Sequence, residues 1–168
     1  DIVTPLPDDI SCTEAVSFVT RYLPASILLK DTLCVTNSSH VLLIGGHQSS
    51  SETALTSLLG ITAGNVIAIL SSEEMTDHLP IEGVTYLLPN HIADLVLNLD
   101  LLIIHESSNS LPAGTMTRLL QKLKRSASVV FIQEDSDSPR CMYKLPSKIK
   151  FMTLDTRFTT AVEGLTST

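Results

Sequence analysis

The chain holds 168 residues, of which 43% are hydrophobic, 17% charged and 4% aromatic, with a net charge of −7. That length suits one domain burying about 70% of the surface its unfolded form would expose; the acidic balance, with no basic cluster longer than Lys122, Lys124 and Arg125, argues against nucleic acid as a partner. No apolar run approaches the roughly 20 residues of a membrane span, residues 1–9 lack the basic start and apolar centre of a signal sequence, and the widely spaced Cys12, Cys34 and Cys141 read as reduced, buried thiols of a cytoplasmic protein.

Ser11 and Glu14 stand three apart ahead of Ala15, Val16, Phe18 and Val19, the spacing of a capping box, and predict a helix to about Tyr22. Pro24 opens a second short helix, Ala25 to Leu29. His40 to Ile44 (HVLLI) runs apolar into Gly45 and Gly46, the pattern of a central strand buried on both faces. Ser49 and Glu52 repeat the capping-box spacing, and Ala54, Leu55, Leu58 and Leu59 form a helical stripe that Gly60 is expected to stop. Further strands are expected at Asn65 to Leu70, Val84 to Leu88 and Asp100 to Ile104. Met116, Leu119, Leu120 and Leu123 then recur at helical spacing, with Arg118, Gln121, Lys122 and Arg125 on the far face. Ser128 to Ile132 is a strand, Glu134 to Pro146 a polar loop, and Lys148 to Leu154 a late strand. The alternation predicts an α/β fold: a doubly wound, mostly parallel, Rossmann-like sheet with helices on both faces. Residues 1–168 form a single domain in this reading, with a helical lead-in at 1–38, a βαβ core at 39–133, and a loop, late strand and tail at 134–168.

Such a sheet takes its ligand at the carboxyl ends of its strands, above all at the first βα turn, where glycines let the backbone approach a diphosphate. Here that turn reads Gly45, Gly46, His47, Gln48, Ser49, Ser50, Ser51. A third glycine is absent, and side chains from Gln48 to Ser51 stand where bare backbone is needed. The serines read as helix caps; alternatively they and the helix start take an anion, in a field that Glu52 already shares. Ser72, Glu73 and Glu74 follow the second strand, where a carboxylate would hold a ribose or simply begin a solvated helix. His105 and Glu106 follow the fourth strand, but strand neighbours point to opposite faces, which argues against a joint acid–base role. His40, His47, His78 and His91 lack metal spacing, no G-x-S-x-G elbow exists, and no cysteine has a helper. Neither catalytic nor metal-binding residues are expected.

Leu6 to Ser17 (LPDDISCTEAVS), Leu23 to Leu28 (LPASIL) and His40 to Ile44 together resemble the lead into the cofactor domain of medium-chain reductases. Ile67 to Glu74 (IAILSSEE) resembles the strand and turn of enoylreductase domains of polyketide synthases, and the likeness continues at Asp100 to Ile104, Leu119 to Ile132 and Phe151 to Asp155. The resemblance, which spans most of the chain in order, implies a domain whose ancestor held NADPH. Where that family carries a glycine-rich turn this chain has His47 to Ser51, and where it carries a basic residue for the NADPH phosphate this chain has Met75. The family's barrel-like substrate domain has no counterpart in the 168 residues. The expectation is therefore a non-catalytic, structural pseudo-enoylreductase module without a cofactor, with Gly45, Gly46, Gln48, Ser49, Ser50, Ser72, Glu73 and Met75 as vestigial positions. Implied partners are the other domains of a polyketide synthase, a separate enoylreductase acting in trans, and a second copy of the module. Three alternatives stay open: an active NADPH-dependent reductase, a degenerate methyltransferase-like domain whose sheet would end in an antiparallel pair, and a module that docks a protein through an apolar patch. The opening on Asp1 rather than Met reads as a segment of something longer.

Overall fold

The protein is described by a computed structural model, which defines residues 5–45, 50–70, 80–94, 98–105, 114–133 and 150–155. The lead-in begins with α1 (Cys12–Ser17), whose capping box is complete: the Ser11 hydroxyl accepts the Glu14 amide at 3.3 Å, and the Glu14 carboxylate accepts the Ser11 amide at 2.8 Å. A wide π-type turn at Phe18–Tyr22, α2 (Leu23–Ile27) and a second wide turn at Leu28–Thr32 follow without a break. The expected division into two helices gives way to one helical run. Pro24 lies in the first turn of α2, and the wide turn before it absorbs the ring and the missing amide that an unbroken α-helix would not tolerate.

The sheet is built from β1 (His40–Ile44), β2 (Asn65–Ile69), β3 (Val84–Leu87), β4 (Leu99–His105), β5 (Leu123–Gln133) and β6 (Lys150–Asp155). Helix α3 (Ser50–Thr62) joins β1 to β2, a 3₁₀ turn (Pro89–Asp94) precedes β4, and α4 (Thr115–Gln121) precedes β5. The strand order is β3-β2-β1-β4-β5-β6, and all five pairings are parallel. The antiparallel ending that a methyltransferase-like sheet requires is therefore absent among the described strands.

Parallel strands covered on both sides read as continuous apolar runs because alternate residues serve two different cores. Val41, Leu43, Val66, Ala68, Leu101, Ile103, Val130 and Ile132 face α3 and the lead-in, packing on Leu55, Leu59, Ala25 and Leu29. Leu42, Ile44, Ile67, Ile69, Leu102, Ile104, Val129 and Phe131 face the other way, onto Ile92 of the 3₁₀ turn and Leu119 of α4. Helices thus lie on both faces, and the doubly wound arrangement stands.

Three local expectations are corrected. Gly60 does not end α3, which continues to Thr62; a side chain at Gly60 would run into the Glu82 carbonyl, so the glycine marks a close approach rather than a stop. Helix α4 ends at Gln121 because the Lys122 amide caps back on the Leu119 carbonyl at 2.9 Å, so Leu123 and Arg125 belong to β5. The thiols of Cys12 and Cys34 are exposed rather than buried, one at a helix start and one at a left-handed turn with φ 52°; Cys141 lies outside the described residues. No helix among the described residues is long and apolar enough to cross a membrane.

Candidate functional site

The chain leaves β1 through α3 toward β2 on one side, while β4, β5 and β6 extend the sheet on the other, so β1 and β4 flank the point where the winding reverses. A crevice opens at such a point beyond the carboxyl ends of the strands. Ile44 and Ile104 are paired there, followed by Gly45 and His105. Gly45 is buried, adopts φ 72°, and donates its amide to the Ile69 carbonyl at 3.2 Å. That left-handed conformation turns the chain out of the sheet and favours a residue without Cβ. Ser50 and Ser51 begin α3, exposed and half-buried respectively.

Beside this turn sits an ion pair between the Glu52 carboxylate and Nε2 of His105, with each residue 2% exposed. Both positions follow from the periodicity of their elements. Leu101, Ile103 and His105 alternate onto the α3 face of β4, and Glu52 heads the buried stripe of α3 that continues through Leu55, Thr56 and Leu59. Burial of a charge demands a partner, and the positive end of the α3 dipole further favours a carboxylate in the first turn. The capping-box spacing pairs Glu52 with Ser49, which lies outside the described residues; the Glu52 side chain meets His105. The stripe itself carries the signal, since Glu52 stands three residues before Leu55 and is in phase with the core face.

Of the positions singled out from the sequence, Gly45 and Ser50 flank the turn between β1 and α3. Gly46, His47, Gln48, Ser49, Ser72, Glu73, Glu74, Met75, His78 and Glu106 lie outside the described residues. His40 sits at the opposite end of β1 and His91 is exposed on the 3₁₀ turn, and no cluster of metal-ligating side chains occurs among the described residues. At the amino ends of the strands, the Asp100 carboxylate accepts the His40 amide at 3.0 Å and the Lys124 ammonium at 2.8 Å. Burial pushes this carboxyl up, but the Lys124 hydrogen bond, the His40 amide and the charges of Lys124 and His40 outweigh it and leave it below the usual aspartate range. It clamps three strands together at the end remote from the crevice.

No protein-family profile matches the chain, and no curated protein does. Solved structures do. An enoyl reductase named CurK aligns over 92% of this chain and 47% of its own length, with a TM-score of 0.59 and 15% identity. The JamJ enoyl reductase in its apo form aligns over 90% and 47%, with a TM-score of 0.59 and 19% identity. The quinone oxidoreductase from Thermus thermophilus, solved alone and with NADPH, aligns over 90% and 49%, with a TM-score of 0.56 and 17% identity. The chain thus spans just under half the length of these structures. The expectation of a module without a cofactor is corrected by the last of them, a protein that shares this fold and binds NADPH. Side chains in the first turn are a poor guide, since the diphosphate of such a fold is held chiefly by backbone amides and the helix start. The fold is a Rossmann-like frame that these enoyl reductases and this quinone oxidoreductase share over just under half of their length.

Proposed function

We propose that this chain is the dinucleotide-holding half of an enoylreductase-type module of a polyketide synthase, taking NADPH or NADH across the carboxyl ends of β1 and β4. The observation that carries the reading is Gly45, in a left-handed turn that directs the backbone from the end of β1 to the start of a 13-residue helix. The residues present fit the group: the amides that open α3 supply the positive end of a dipole, Ser50 and Ser51 add hydroxyl donors, and the Glu52 carboxylate is turned away from the crevice mouth onto His105. When bound, the dinucleotide supplies hydride chemistry; this chain's residues hold its diphosphate and fix its orientation. Ligand that binds only the folded state stabilises it by about 2.7 kcal/mol at a hundredfold excess over Kd. A thermal melt with NADPH, and separately with NADH, should therefore move upward by several degrees; unchanged melting at millimolar concentration of both would sink the reading.

A second reading, in which the module is structural and enoyl reduction is supplied in trans, is favoured by the exposed apolar side of the lead-in. Val16, Val19, Leu23 and Ile27 lie on successive turns with 40% to 62% of their surface exposed, a face suited to the other domains of a cytoplasmic multienzyme or to a second copy. NADPH consumption with an enoyl thioester separates the two. Turnover by the module with its flanking domains supports the active reading, and turnover only after a separate reductase is added supports the structural one.

A further inference from the structure

We propose that the lead-in pairs two copies of this chain, the apolar seam of one packed antiparallel against the same seam of the other. The inference goes beyond the dinucleotide-binding reading and can fail while that site stands.

Eight of the nine large hydrophobic side chains exposed among the described residues fall between Leu6 and Ile27. Single apolar residues scattered over a surface need no cause, but their concentration on one element does. From Cys12 to Thr32 that element is one helical run. Its buried anchors, Ala25, Leu28 and Leu29, hold only the inner side of its second half on the core. Val16, Val19, Leu23 and Ile27 follow one another at three and four residues, the spacing that keeps a seam on one side of a helix. The hydroxyl beside the seam is already satisfied, since Thr20 donates to the Val16 carbonyl at 2.7 Å, so covering it orphans no donor.

Two properties of the seam select a second copy as its occupant. The first is shape. Under a two-fold axis near Arg21 and Tyr22, Val16 of one chain meets Ile27 of the other, and Val19 meets Leu23. Each layer sets a valine against a longer side chain, so the four positions complete one another without a further residue. The second is charge. The first half of the lead-in carries Asp8, Asp9 and Glu14, all exposed, whereas the second half carries Arg21 and Lys30 with Asp31. Antiparallel pairing lays the acidic half of each copy along a half whose balance is positive, and it opposes the two helix dipoles. Parallel pairing would set three carboxylates against three. The seam runs only about 16 Å from Val16 to Ile27 at 1.5 Å per residue, which makes the pair a reversible one.

Sedimentation velocity of the unmodified chain from about 1 μM to about 500 μM, the range in which a small interface associates, should show monomer passing to dimer. Orientation is read by cross-linking. In a background with Cys12, Cys34 and Cys141 replaced by serine, one chain carries Val16→Cys and another Ile27→Cys. Both positions are exposed, so neither change should disturb folding. Under mild oxidation each variant alone should stay uncrosslinked and the mixture should give a disulfide-bonded dimer, because the bond joins only facing positions. Cross-linking of each variant with itself, and not in the mixture, would assign a parallel pair and overturn the proposal. A dimer that cross-links in neither form places the contact elsewhere on the molecule and overturns it equally. A chain that sediments as a monomer throughout also overturns it, and leaves the face to a different polypeptide, such as a flanking segment of a longer chain. None of these outcomes alters the NADPH melts, so the pairing and the dinucleotide site fail separately.

Discussion

Gly60 and Gly83 meet where α3 passes the turn into β3. Gly83 holds φ +79°, and the Gly60 carbonyl lies so close that a side chain at Gly83 would collide with it. Gly83→Ala therefore combines a left-handed alanine with a backbone clash and should cost about 1–3 kcal/mol or more, read as a lowered urea midpoint with an unchanged slope. Asp100 gives a prediction in pH. Its carboxyl is lowered in the folded chain, so its contribution to stability is fully present above the unfolded value, about pH 4, and is lost as the pH falls through the lower folded value. Acid titration of Asp100→Asn should show a shallower loss of stability in that window than the unmodified chain; identical acid profiles would assign the clamp no role. These residues also mark how far sequence reaches. The Ser11–Glu14 box is legible because both partners lie in one turn. The Glu52–His105 pair is not: the phase of Glu52 with the core stripe of α3 can be read, but its partner cannot, because only the packing of α3 on β4 joins the two.

At the scale of elements, the lead-in is the part whose sequence and surroundings disagree most. Its second half is anchored by Ala25, Leu28 and Leu29, which are buried beneath α3 and the sheet. Its first half carries Val16, Phe18 and Val19 with more than half of their surface in water. An apolar helix face of this kind covers something in the working molecule or drives association of the isolated chain. The double substitution Val19→Glu and Leu23→Glu should leave stability within about 0.5 kcal/mol, because exposed positions contribute little to folding, yet should abolish any concentration dependence of the sedimentation coefficient. A drop in stability well beyond that range would mean that the face is already used inside the domain. The strands are easier to read than the helix ends. His40 to Ile44 announces β1 through burial on both faces, whereas the boundary at Gln121 depends on the Lys122 carbonyl accepting the Leu99 amide at 3.0 Å, a partner distant in the chain.

For the whole molecule, the order β3-β2-β1-β4-β5-β6 places the two strands beside the crevice at the centre of the sheet. Strand β1 is hydrogen-bonded on both edges, to β2 and β4, and β4 likewise to β1 and β5. Their side chains are buried from Val41 to Ile44 and from Leu101 to His105. Strand β3, in contrast, pairs on one edge only among the described strands and leaves Thr85 exposed with its neighbours half-buried. The turns proposed to hold the dinucleotide are thus hung from the most fully paired part of the sheet, which is expected to open only with the fold as a whole and to hold Gly45 and His105 in place. Native-state hydrogen exchange tests this ordering directly. Amides of β1 and β4 should exchange at the rate set by global unfolding and respond fully to added urea, while those of β3 should exchange earlier, through local opening with little urea dependence. Protection in β3 equal to that in β1 would show that the sheet opens as one unit, and the crevice would then have no privileged rigidity on which to hold a diphosphate.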